Sequence, residues 1–218
     1  MKIQPIFAVL LLALSFSLLA QSPEPEQTPD MLDVTETTEV SEPIKNVEMP
    51  QTPHSQSPKE RALIQSAYDG NLAEVEVLVA KGVSVNLADK KKRTLLILAA
   101  YNGHTPVVEF LYGKGADINA KDSDSQTALF YTSRRSFYET AEFLVKNGTE
   151  VNARSKKKGN TALMIAAALN DVKMVRLLLD NGADPAIRDN FGATAAVLAG
   201  KRGNSAVVNM LSNPPAAE

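Results

Sequence analysis

The sequence predicts an all-α solenoid: a stack of short helix-turn-helix units joined by extended turn fingers. The segment "TLLILAAYNGH" (Thr94–His104) returns as "TALFYTSRRSF" from Thr127, "TALMIAAALND" from Thr161 and "TAAVLAGKRGN" from Thr194, at spacings of 33, 34 and 33 residues. A fixed period of this length marks a repeat architecture. Each unit also holds a second apolar run closed by glycine: "VEVLVAKG" to Gly82, "VVEFLYGKG" to Gly115, "AEFLVKNG" to Gly148 and "VRLLLDNG" to Gly182. Helices this short are marginal alone in water, so their Leu, Ile, Val and Ala faces must be buried against neighbouring units.

Taken in order, the chain of 218 residues opens on "MKIQPIFAVLLLALSFSLLA", one positive charge at Lys2 followed by an uncharged apolar run from Ile6 to Ala20. This is the pattern of a secretory signal peptide, residues 1–20. Cleavage is expected after Ala20, with Ser17 as the alternative. The run is shorter than the roughly 20 residues that a spanning helix needs, so no stable membrane insertion is expected after processing. Residues 21–58 hold seven of the twelve prolines and eight acids against the single base Lys45, a charge of -7. A segment this polar cannot bury enough surface to offset its ordering entropy and is expected to be a disordered leader. From Lys59 onward the charge is +4, within a chain total of -2.

The repeat domain is expected over 59–213: an amino-terminal half unit at 59–88, units at about 89–121, 122–154 and 155–188, a capping unit at 189–213, and a tail at 214–218. Tight turns at "YDGN", "YNGH" and "KRGN" separate the helices. Thr105 is placed to cap the second helix of its unit and Pro106 to take the first helical position. Gly82, Gly115, Gly148 and Gly182 suit the left-handed residue that ends a helix. Extended links follow them: "VSVNLAD", "ADINAKD", "TEVNARS" and "ADPAIRD".

Helix, turn, helix and finger on this period, with T-x-L opening the first helix, resembles the ankyrin repeat. The resemblance spans roughly Lys59 to Leu211. It departs from the family's T-P-L-H at every unit: Leu95 and Ile97, Ala128 and Phe130, Ala162 and Met164, Ala195 and Val197 stand where proline and histidine would be. One finger carries an extra residue ("RSKKKGNT"), and "SRRSF" lacks the glycine of the helix turn. Thr132 and Ser133 stand where neighbouring units have small residues, which implies either looser packing or service to a partner.

Little in the sequence points to chemistry. There is no cysteine, and of the two histidines His54 lies in the leader while His104 stands between two helices, where the resemblance implies a structural role. No metal-ligand spacing or phosphate-binding glycine loop is present. The expectation is a non-enzymatic binder with no cofactor and no metal, monomeric, and without nucleic acid as a partner.

What the resemblance implies is a binding surface, the finger tips together with the ends of the first helices. Carried over by position, the helix-end residues are Tyr68, Tyr101, Asn102, Arg134, Arg135 and Leu169. The finger-tip candidates are Lys91 and Arg93, then Asp124 and Gln126, then Lys157 and Asn160, then Phe191. Tyrosine and arginine are enriched among interface hot spots, whereas lysines at turn tips are commonly just solvated. The expected role is protein binding in the periplasm, with inhibition or protection of an envelope enzyme as the specific version. The alternative is a secreted factor that engages host proteins, and the lysine fingers leave a polyanion ligand conceivable.

Overall fold

The computed structural model describes residues 57–212. The signal peptide, all of the leader before its last two residues, and the tail therefore lie outside the described residues. Within them the chain forms ten helices in five pairs: α1 (Pro58–Asp69) with α2 (Leu72–Ala80), α3 (Leu95–Tyr101) with α4 (Thr105–Gly113), α5 (Ala128–Arg135) with α6 (Tyr138–Lys146), α7 (Ala162–Ala168) with α8 (Val172–Asp180), and α9 (Ala195–Lys201) with α10 (Ser205–Ser212). The odd-numbered helices pack on one another in chain order and the even-numbered ones form a second row behind them.

Burial follows the composition. In α3 every residue from Leu95 to Ala100 is buried, as expected of a helix that is apolar all round. Each inner helix after the first opens on its threonine: Thr94, Thr127, Thr161 and Thr194 accept the N–H of Ile97, Phe130, Met164 and Val197. The amino-terminal unit supplies a helix pair of its own. Its α1 starts with a capping box, in which Ser57 and Glu60 exchange side-chain and backbone hydrogen bonds and Pro58 follows the cap.

The helix turns show how neighbouring units fit. Gly70 and Gly103 have φ of 76° and 73°, and a Cβ there would lie 2.4 Å from the His104 ring and 2.7 Å from the Phe137 ring. Each glycine thus seats the ring of the following unit. Where the turn residue keeps its Cβ, at Ser136 (φ 57°) and Asn170 (φ 59°), the next unit offers Asp171 and Asn204 instead of a ring. The missing glycine of "SRRSF" is replaced by a serine in the same left-handed conformation, at a cost of about 1 kcal/mol.

Thr105 is not the cap of α4. That position is His104, and Thr105 is the first helical residue with Pro106 second; the Thr105 hydroxyl instead meets that of Thr140 on α6 at 2.8 Å, both buried. A second tie between units runs through the links. The Asn86 side chain accepts from the Asp117 N–H, Asn119 from Glu150 and Asn152 from Asp184. Asn119 and Asn152 also donate to the carbonyls of Gly148 and Gly182. The series stops where Pro185 takes the place of asparagine.

Candidate partner-binding face

The fingers are built by acids at their base. Asp89 accepts the N–H of Lys91 and of Arg93, Asp122 that of Asp124 and of Gln126, and Asp189 that of Phe191 and of Ala193. In the third finger Ser155 does this work for Asn160. Left-handed residues turn the tips: Lys92, Ser125, Gly159 and Gly192. The tips are also joined to each other, because Ser123 donates its N–H to the Lys91 carbonyl, Lys156 to Asp124 and Asn190 to Lys158, at 2.8, 2.8 and 2.9 Å. The fingers therefore form one continuous hydrogen-bonded edge.

Behind that edge runs a row of rings along the inner helices. Tyr68 and Tyr101 stack with centroids 6.4 Å apart, Tyr101 meets Tyr131 edge-on at 5.2 Å, and Tyr131 meets Phe130 at 6.1 Å. The Arg135 guanidinium lies 4.8 Å from the Tyr101 ring centre and 5.5 Å from that of Phe137. Tyr131 is buried and donates its hydroxyl proton to Asp122 at 2.6 Å. Burial, and next the Asp122 carboxylate, push the Tyr131 phenol well above its ordinary range. The finger base and the inner helix of the 122–154 unit are thus clamped by one short bond.

The sequence candidates fall into three groups. Tyr68, Tyr101, Arg134, Arg135 and Leu169 are half-buried on the inner-helix row, with Tyr68, Tyr101 and Arg135 in direct ring contact through Tyr101. Lys91, Lys157 and Phe191 are exposed at the tips; Phe191 is 52% accessible, the most of any large apolar residue described. The remaining candidates make contacts within the repeat domain. Arg93 is held by Asp89 at 2.6 Å with both side chains largely covered, and Asn102 donates to the Tyr68 carbonyl. Gln126 closes the second finger through its backbone N–H, and Asp124 pairs with Lys157 at 3.3 Å.

Asn160 corrects the sequence expectation outright. It is only 2% exposed and its side-chain oxygen has no hydrogen-bond partner. In this finger the exposed tip lies at Lys156 and Lys157, while Asn160 stands directly before the helix-capping threonine, where Ala193 of the last unit is buried too.

Sequence reasoning missed Tyr131, Asp122 and the asparagine series. The last had a signal, since Asn86, Asn119 and Asn152 are spaced at 33 and 33 residues; Tyr131 stands where the neighbouring units have Leu98 and Ile165, and nothing in one sequence pairs it with Asp122. His104 has the structural role expected of it, with Nε2 3.0 Å from the Tyr68 carbonyl.

Among the described residues no group of three His, Cys, Asp or Glu could hold a metal ion, and no helix is long and apolar enough to cross a membrane. The family model for ankyrin repeats (3 copies) matches residues 44–122, 63–155 and 129–217. The chain belongs to the ankyrin-repeat family. Ankyrin repeats make it a protein–protein interaction module, a class that is typically non-enzymatic. No curated protein matches the chain.

Proposed function

We propose that this module acts outside the cytoplasm, in the periplasm, and binds a partner protein through its inner-helix row and finger tips. Inhibition or protection of an envelope enzyme is the specific form of that role, because a binder without chemistry of its own regulates by covering an active site. The export part rests on the pattern of residues 1–20. The binding part rests on one observation: Tyr68, Tyr101, Arg134 and Arg135 share one half-buried row, the residue types that dominate interface hot spots.

The test is affinity capture from the envelope fraction of the source cells. The baits are the mature chain from Gln21 and a variant with Tyr101, Arg134 and Arg135 all changed to alanine. One protein retained by the first and lost by the second, with the variant folded by circular dichroism, is the expected result. Equal retention by both baits would place binding elsewhere. A partner found only in host extracts would favour the secreted alternative.

A further inference from the structure

The end of α5 carries two arginines, Arg134 and Arg135, for which no ion-pair partner is found among the described residues. The helix dipole favours a cation at that end, but it does not account for how Arg135 is held. Its guanidinium lies against Tyr101 at 4.8 Å and Phe137 at 5.5 Å, and its Nε is buried with no hydrogen-bond partner. Two rings flank the guanidinium, and its Nε is withdrawn from water. A planar fork held in this way matches the two oxygens of a carboxylate, and partial desolvation strengthens the pairing.

The neighbours narrow the ligand. At equivalent positions of the following unit stand Ala168 and Leu169, and in the last unit Lys201 and Arg202. The preceding units supply Tyr101 and Tyr68; the acid at this level is Asp69, at the far end, accepting from Gln65 at 2.8 Å. The row thus reads aromatic, cationic, apolar, cationic. A nucleic acid would favour a strongly basic surface, whereas residues from Lys59 onward carry only +4 and the row is interrupted by an apolar step.

We propose that Arg135, with Arg134 beside it, anchors a carboxylate of an acidic protein segment lying along this row. This rests on the inner-helix reading above and names the chemistry of its partner.

The experiment uses the mature chain from Gln21, labelled with 15N, and follows the Nε–H signal of Arg135, assigned by its loss in Arg135→Lys. The probes are a capped hexaglutamate peptide, hexaglutamine and a thymidine octanucleotide. Hexaglutamate is expected to shift the Arg135 signal saturably, hexaglutamine not at all, and about 0.5 M salt should weaken the effect. Arg135→Lys, which keeps the charge and loses the fork, should bind hexaglutamate about tenfold more weakly, read from backbone signals of Tyr101 and Leu169. If that variant does not fold, through-bond correlation of the Nε–H to the Arg135 backbone gives the assignment and the wild-type titration decides.

No shift with hexaglutamate, or an equal shift with hexaglutamine, overturns the proposal. A response to the octanucleotide at lower concentration than to hexaglutamate also overturns it and points to phosphate. A failed titration beside a capture that depends on Tyr101, Arg134 and Arg135 leaves the binding face standing and removes only the carboxylate.

Discussion

Where the unit at 155–188 carries Ala166, Ala167, Ala168 and Leu169, its neighbour at 122–154 carries Thr132, Ser133, Arg134 and Arg135. Both stretches follow the same buried start, with Leu129 and Leu163 each 1% exposed. The hydrophobic positions that make a helix pair are therefore conserved between the two units of this chain, and the differences concentrate at the end of the inner helix. There the 122–154 unit accepts local costs. Ser133 is fully buried with an unpartnered hydroxyl, Arg135 has an unpartnered Nε, and Ser136 is left-handed. Thr132, also fully buried, is satisfied by donating to the Leu129 carbonyl. The hydroxyls fit without exposing that helix. The comparison teaches that an ankyrin stack tolerates polar irregularity at the helix end while its leucine positions stay fixed, so the irregular unit is the one to suspect of binding.

The shared scaffold gives the largest expected effect. Leu129→Ala and Leu163→Ala should each cost about 2–5 kcal/mol, and urea denaturation should find the two within ~1 kcal/mol of each other. A mild loss in only one would break the equivalence of the units.

Next comes the clamp that only the 122–154 unit possesses. Tyr131→Phe removes the phenol donated to Asp122 and should cost about 1.5–3 kcal/mol, the range for a buried hydrogen bond to a charged group. Ile165 in the neighbouring unit has no such bond to lose. The same bond has a pH signature. The folded phenol titrates above its unfolded value near 10, so its contribution is complete below that pH and is lost as pH rises beyond it. Unfolding free energy should therefore fall more steeply above pH 10 in the wild type than in Tyr131→Phe, checked by urea titrations between pH 9 and about 11.

Smaller still is the exchange of one hydroxyl. Ser133→Ala removes an unsatisfied buried group and should stabilise by about 1 kcal/mol, whereas Ala167→Ser should destabilise by ~1–3 kcal/mol. In a domain of this size each kcal/mol moves Tm by roughly 2–4 °C. Opposite signs from the same atom in two adjacent units would sharpen the comparison; equal signs would mean that the surroundings relax to satisfy it.

Much of the architecture is legible in the sequence because each feature repeats. The threonine period, the glycines at 82, 115, 148 and 182 and the alternation of apolar runs all recur, and all adopt the expected conformations, with φ between 81° and 86° at those glycines. Apart from the recurring asparagines at 86, 119 and 152, the features that escaped the sequence are local to one unit. Asn160 is polar, yet it stands directly before the capping threonine, where Ala193 is buried as well. The Tyr131–Asp122 bond joins residues nine apart across a turn. Arg93 resembles a free finger cation until its Asp89 partner, four residues before it, is seen to hold it. Of the binding face, the row of Tyr68, Tyr101 and Arg135 is visible by position alone, but its direct ring contacts depend on how the units stack.

The most direct measurement gives the 122–154 unit the helix end of its neighbour: Arg134→Ala with Arg135→Leu, the residues found at Ala168 and Leu169. Loss of the stacking of Arg135 on its rings and relief of its unpartnered donor are of similar size, about 1–2 kcal/mol each. The account predicts a Tm within about 3 °C of wild type and loss of the protein captured by the mature chain. A variant that keeps Tm and still retains that protein would contradict it.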